Sequence, residues 1–380
     1  MGYGGGGGGG GGSGGSGGGG GAGGYGAGGS GAGGASGYRR VGDDRTANLN
    51  VNNITNRDGS SGPEIDGVVE INSTSHFIPP SGGTEFRSGA GRGVFMGGGN
   101  LTGLLTIEFV TIAETGQGID FGDLTAGRKF AGACSSETRG LTGGGYYSEV
   151  ITSTIDSVEL LSKGDAQEFG DLTVPRAYVG GTGNSTRGLF AGAWNPKTNI
   201  IDYVTIATRG DATDFGDLTK IRQLDNGAGS STRGMFFAGE LLPSGGTNVI
   251  DYVNIQSLGD AVDFGDLHSP NWAVGAFSNS TRAIAFGGNP TINRAEFVTI
   301  ASKGNALDFG SLIQSGLAYA GGTASSTRGL TVGGRTSGPT TVNTIEYMTI
   351  ATTGSVADFG DLTQVKLGLS AVSNTHGGIG

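Results

Sequence analysis

The sequence is short of the residues from which reactive centres are usually built. Among 380 residues it has one cysteine, three histidines and two tryptophans. The lone Cys134 excludes an intramolecular disulfide. It reads as a small buried residue, aligned with Gly183 and Gly229 of neighbouring repeats. A nucleophilic thiol would need a histidine base beside it, and only His76, His268 and His376 are available. No grouping of His, Cys and carboxylates has the spacing of a transition-metal site, so neither a metal nor another cofactor is expected. No run of lysines or arginines occurs and the formal net charge is −10, which argues against a nucleic-acid partner. No apolar stretch reaches the ~18 residues of a membrane span. The beginning, Met1 followed by polyglycine, lacks the basic and apolar regions of a signal peptide.

Glycine is the residue in excess, 83 in all, and 26 of them fall within residues 1–40. Such a segment has almost no side chains with which to offset its ordering entropy. It is expected to be a low-complexity tether, or polyglycine packed in an assembly interface where backbones approach closely. Residues 41–86 follow as a short β connector or anchoring region. Strands are expected at Asn48–Ile54, Gly67–Ile71 and His76–Ile78, with turns between them.

From residue 87 onward a unit of about 48 residues is written six times. Its marker is Asp/Glu-Phe-Gly-Asp/Ser-Leu, with phenylalanines at Phe121, Phe169, Phe215, Phe264, Phe309 and Phe359. A fixed period of this size signals a repeat fold in which each unit is one supersecondary element. The third copy serves as template: strand a at Ala177–Thr182, b at Arg187–Ala191, c at Ile200–Ala207 and d at Asp214–Leu218. In every copy the strand c position (Phe109, Ser157, Tyr203, Tyr252, Phe297, Tyr347) lies 12 residues before the marker phenylalanine, so the c–d hairpin is constant. The distance from strand b to strand c varies from 15 to 19 residues, and a variable loop on a constant scaffold is where such folds carry recognition.

Units 1, 2, 5 and 6 end strand b in a double glycine (Gly97-Gly98, Gly143-Gly144, Gly287-Gly288, Gly333-Gly334). Some carry a basic residue after strand d (Arg128, Arg176, Arg222). This pattern resembles the kelch motif, with phenylalanine where kelch usually has tryptophan. The resemblance covers about residues 91–380 and departs from kelch at Ala191-Gly192, Ala238-Gly239 and Ser157. The wording IDYVTIATRGDATDFGDLT, followed by repeats such as STRGLFAGA, resembles virion structural and tail-fibre-like proteins of marine bacteriophages, notably cyanophages. The segment INSTSHFIPPSGG looks like connector text of such fibres. The expected fold is an all-β, six-bladed kelch-like propeller. The first unit begins at strand b and the chain finishes with an extra strand a, Leu367–Ser373, which would complete the first blade and leave no open sheet edge.

The repeated residues read as structural. Asp-Phe-Gly is also the magnesium motif of kinases, but six copies with no catalytic-loop partner exclude that role. The phenylalanines should fill the gaps between blades and the glycines should permit tight backbone contact. Arg92, Arg139, Arg187, Arg233, Arg282 and Arg328, with His376 last, recur with Asp123, Asp171, Asp217, Asp266 and Asp361. Repeated ion pairs or backbone hydrogen bonds are expected there rather than an anion site. The sequons at Asn72, Asn184 and Asn279 matter only in a secretory pathway. Polyglycine matches to nucleotide-binding fingerprints lack the strand and helix they need.

Unrepeated residues cluster in the b–c loops, namely Tyr146, Tyr147, Trp194, Lys197, Leu241–Pro243 and Arg335, and Trp272 lies in a d–a segment. In a four-stranded blade these loops share one face. Tyr146, Tyr147, Trp194, Lys197, Trp272 and Arg335 are therefore the candidate ligand-binding residues, because exposed aromatics give large contact area at low entropy cost. No catalytic residue is proposed. The prominent carboxylates are repeat positions, whereas a glycosidase pair should be unique. The resemblance to phage virion and tail-fibre-like proteins, taken with these loops, implies a non-enzymatic virion surface or tail-fibre-associated protein that binds a host-surface glycan or another virion protein. A purely structural virion module and, less favoured, a carbohydrate-active propeller enzyme are the alternatives. The expected setting is the virion, assembled in the host cytoplasm. The N-terminal tail would attach to other virion proteins, and a homo-oligomer is allowed.

Overall fold

The computed structural model describes residues 91–379, apart from Glu149, Asp225, residues 242–244, Thr291 and Ser355. The glycine-rich tail and the connector, with the strands expected in them, lie outside the described residues. Within the described residues the protein is all-β: six four-stranded antiparallel sheets form a six-bladed β-propeller. Each blade runs a, b, c, d from the axis outward. In the third, the strands are Gly180–Gly183, Arg187–Ala193, Thr198–Thr205 and Thr213–Asp217.

The strand a boundary differs from expectation for a local reason. Ala177 bridges to Asn195 in the b–c loop, and Tyr178 has φ +60°, so the chain cannot enter the sheet before Gly180. The register also corrects the repeat alignment of Cys134. It sits opposite Leu141 as Thr182 sits opposite Leu189, so Thr182 and not Gly183 is its equivalent. Cys134 is buried, as expected, and burial pushes its thiol pKa up. Ring closure follows the sequence reading. Ser370–Ser373 pairs with Arg92–Met96, placing Val372 opposite Val94, and joins blade 1 as its innermost strand.

The marker motif is the inter-blade joint. Each phenylalanine is buried between its own blade and the next. Phe121, for instance, packs in one cluster with Val94 and Phe109 of blade 1 and with Val158, Leu160 and Ala166 of blade 2. Burial of such a ring is worth about 1.5–3 kcal/mol. The phenylalanine carbonyl accepts the N–H of a glycine in the next blade's c–d turn, as Phe121 O does from Gly164 N at 2.9 Å, and Phe359 O accepts Gly116 N at 2.9 Å to close the ring. The marker glycine must stay small: a Cβ on Gly170 would lie 2.3 Å from Gly210 O, and one on Gly360 would lie 2.2 Å from Gly116 O.

The recurring arginines do not pair with the marker aspartates. Each reaches instead to backbone carbonyls of the next blade: Arg92 to Leu160 O, Arg187 to Ile255 O, Arg233 to Ile300 O, Arg282 to Ile350 O and Arg328 across the seam to Ile112 O, at 2.6–3.1 Å. For these five arginines, backbone hydrogen bonding is the one of the two expected structural roles that is observed. The guanidinium also lies over the strand c ring, 4.9 Å from Tyr252 for Arg233. Unit 2 has Ser157 in place of the ring, and there Arg139 pairs with Glu159 at 3.1 Å while still reaching Ile206 O. His376 is not a seventh member of the series. Its Nε2 lies 2.9 Å from Ser135 O inside the channel, and its Nδ1 accepts the Gly378 N–H. The Asn184 and Asn279 sequons are also inter-blade devices, their amides donating to Ser231 O and Ser326 O.

The buried ion pairs sit elsewhere. Arg128, Arg176, Arg222 and Lys366, seven residues after the marker phenylalanine, pair with Asp156, Asp202, Asp251 and Glu108 on strand c of the next blade, at 3.0, 2.8, 3.1 and 2.6 Å. A threonine three residues earlier adds hydrogen bonds to the same carboxylates, as Thr125, Thr173 and Thr219 do. Burial pulls the Arg176 and Arg222 pKa values down, and their aspartates oppose that shift only in part.

Candidate functional site

The b–c loops and d–a segments share one face of the propeller, as expected: bridges join Lys129 to Tyr146, Ala177 to Asn195, Trp272 to Asn289 and Ala318 to Arg335. Where the d–a segments turn toward the axis, four non-glycine residues adopt left-handed backbone: Phe130 (φ 59°), Tyr178 (60°), Ala273 (58°) and Tyr319 (58°). Gly368 takes the same conformation at φ 63°. This region costs a non-glycine residue on the order of 1 kcal/mol and persists only where the surroundings impose it. Here a belt of hydrogen bonds imposes it. Around the axis, Phe130 N donates to Gly368 O, Tyr178 N to Phe130 O, Leu224 N to Tyr178 O, Tyr319 N to Ala273 O and Gly368 N to Tyr319 O, at 2.7–3.1 Å. Asn226 closes the mouth beneath, its amide donating to Ala320 O at 3.1 Å.

This geometry gathers aromatic rings at the channel mouth. Phe130 stacks on Tyr178 with centroids 4.1 Å apart and on Tyr146 at 5.7 Å, and meets Tyr319 edge-on at 5.2 Å. Phe130 is buried, whereas Tyr146, Tyr178 and Tyr319 are half-exposed. Cations flank the cluster. Lys129 Nζ lies 5.1 Å from the Tyr146 ring and 5.6 Å from that of Phe130, and it donates to Leu101 O at 3.2 Å. On another side the Arg335 guanidinium lies 5.6 Å from the Tyr319 ring.

Of the residues expected to bind a ligand, Tyr146 and Arg335 come together in this cluster. Tyr147 is beside it in sequence and 48% exposed. Trp194 and Lys197 form a separate pair, with Nζ 3.9 Å from the indole. Trp272 is half-buried, its backbone bridged to Asn289. Leu241 is half-buried, and the rest of the Leu241–Pro243 stretch is not described. Sequence reasoning missed Phe130, Tyr178, Tyr319 and Lys129. The signal is an aromatic-x-Gly that leads into strand a in three units, Phe130-Ala131-Gly132, Tyr178-Val179-Gly180 and Tyr319-Ala320-Gly321, and along the chain it reads as ordinary strand sequence.

The channel itself is narrow. Its walls are the six a strands, built from residues such as Ala133, Gly181, Thr182, Ala228 and Thr323, and the free cavity is about 50 Å³. That volume holds a few waters at most. None of its lining residues is a carboxylate, and His376, with the Gly377 N–H on Ser278 O, fills the end away from the aromatic mouth. Among the described residues, no group of three or more His, Cys, Asp or Glu could hold a metal ion, and no helix is long and apolar enough to cross a membrane.

The fold and this face together define a six-bladed β-propeller with an aromatic, cation-flanked mouth. Compared with known protein families and with curated proteins, the chain matches none.

Proposed function

We propose that this chain is a non-enzymatic component of a phage virion, at its surface or associated with a tail fibre, and that the loop face of its kelch-like propeller binds a host-surface glycan or another virion protein. The observation that carries this reading is the aromatic cluster of Phe130, Tyr146, Tyr178 and Tyr319 at the mouth of that face. Tyr146, Tyr178 and Tyr319 are partly open to solvent, and Phe130, Tyr178 and Tyr319 are held on strained but over-determined backbone. Rings fixed in this way offer stacking surface with little entropy left to lose on binding. The resemblance of the repeat wording to marine phage structural proteins supports the virion setting, with the glycine-rich tail as the attachment to neighbouring virion proteins.

The test is binding of the full chain to glycan arrays and to host cells. Binding that falls when Tyr146 and Tyr147, and separately Trp194, are changed to Ala supports an attachment role and says which part of the face is used. A well-folded protein that binds neither cells nor glycans would overturn it.

A further inference from the structure

We infer that the aromatic mouth takes an anionic glycan, with the acidic group of the sugar held by Arg335 and a ring face of the sugar against Tyr319 or Tyr146. This rests on the attachment reading above and specifies the chemistry of its ligand. The first observation is the cations. Lys129 is 6% exposed, lies over two aromatic rings, and has only backbone carbonyls for partners among the described residues. Arg335 has no carboxylate partner among them and is half-exposed beside Tyr319. A guanidinium without a carboxylate partner keeps its planar fork of donors for a carboxylate or a sulfate, which it can bind through two hydrogen bonds.

The second observation is the distribution of charge. The chain carries a net charge of −10, yet the described residues of the b–c loops and d–a segments put Lys129, Lys197, Lys220 and Arg335 on this face without carboxylate partners, against a single carboxylate, Glu240. Most of the other described acids of those blades are held in the buried inter-blade pairs or lie along the outer d strands and c–d turns, as Asp120, Glu168, Asp214, Asp165 and Asp211 do. Cations beside an aromatic mouth favour an anionic ligand. Aromatic faces between the cations favour a ligand that has flat apolar faces as well as charge, which a saccharide chain has and a simple anion lacks.

The test uses the full chain and a matched pair of probes, an oligogalacturonide and the same oligomer fully methyl-esterified, with poly-L-glutamate as a non-saccharide polyanion, all by calorimetry at low salt. The expected result is binding of the acid form, about tenfold or more weaker binding of the ester, and a comparable loss for Arg335→Gln with an unchanged melting temperature. Lys303→Gln, the same charge change on an exposed lysine of a c–d turn, should bind as the wild type does. Equal binding of acid and ester, or of wild type and Arg335→Gln, would overturn the inference. So would poly-L-glutamate binding as tightly as the oligogalacturonide, or no binding of the oligogalacturonide at millimolar concentration. A chain that binds host cells but prefers the ester leaves the attachment reading standing while this inference falls. A chain that binds neither cells nor glycans removes both.

Discussion

Lys366 Nζ lies 2.6 Å from Glu108 Oε1, joining the last d–a segment to strand c of the first blade across 258 residues of chain. Both side chains are buried, at 0% and 2% exposure, and Lys366 also donates to Thr106 Oγ1 while Glu108 accepts the Thr363 N–H. The pair is the seam's version of the arginine–aspartate joints in blades 1 to 4. Removing one partner strands a buried charge, which costs about 3–5 kcal/mol. Lys366→Met alone should lower the unfolding free energy by that order, and the double change with Glu108→Gln should cost clearly less than the two singles added. A double-mutant cycle by chemical denaturation measures this, and additive losses would show that the two groups do not interact.

Arg233 ties blade 4 to blade 5 through Ile300 O and covers the Tyr252 ring. Arg233→Ala should destabilise the protein by about 1–3 kcal/mol, the sum of a charge-assisted hydrogen bond and a cation–π contact. The same change at Glu159, more than half exposed and paired with Arg139, should cost under about 1 kcal/mol. Melting temperatures of the two variants decide whether the inter-blade bond or the surface ion pair carries the effect.

Gly170 tests the close approach of blades without a conformational penalty. Its backbone is not left-handed, yet an added Cβ would sit 2.3 Å from Gly210 O. Gly170→Ala should lose about 1–3 kcal/mol through forced separation of blades 2 and 3. Gly338→Ala, where nothing lies within 4 Å of the new atom, should stay within about 0.5 kcal/mol of wild type. Equal losses would mean that the tight joint is not what the glycine serves.

Glu346 is buried on strand c of blade 6 and accepts the N–H groups of Ile313 and Gln314, but the position that supplies a cation in four other units is Gly316 here. Burial pushes its pKa up, with the two backbone hydrogen bonds only partly opposing that. A carboxyl whose folded pKa exceeds its unfolded value binds more protons when folded. Its contribution to stability therefore rises as pH falls from neutral through the folded pKa, and levels off below the unfolded value of about 4.3. Unfolding free energies of wild type and Glu346→Gln should converge or cross in favour of wild type between about pH 7 and about pH 4. A pH-independent difference would remove this group as the cause.

Cys134 should be inert. It is buried and its thiol is held protonated by desolvation, with no cation or histidine hydrogen-bonded to it among the described residues. A thiol reagent should label it only as fast as the protein unfolds, and rapid labelling of the native protein would contradict its placement in the blade.

The scaffold was far more legible than the site. The repeated marker, the constant c–d spacing and the leftover C-terminal strand all depend on local sequence order, and each has its counterpart in the blades. The partners of Arg92, Arg187 and Arg233 were not legible. A guanidinium beside repeated aspartates suggests an ion pair, but the carbonyl each arginine reaches lies about 68 residues further on, and a backbone acceptor leaves no mark in side-chain identity. Phe130, Tyr178 and Tyr319 were not legible because, read along the chain, each looks like an ordinary residue near the start of a strand. Only the belt around the axis shows that they leave the sheet and meet one another.

The sequence by itself determined the unit, its count, its strand order and the closure of the first blade by the last strand, because hydrophobic alternation and glycine placement act within a few residues and repeat with the period. Tertiary structure alone decided which residues meet. Six d–a segments up to about 240 residues apart converge on one axis, so Phe130 stacks on Tyr178 and abuts Tyr319, and Lys129 and Arg335 come to flank the same mouth. Ring closure creates that proximity, and no spacing along the chain encodes it.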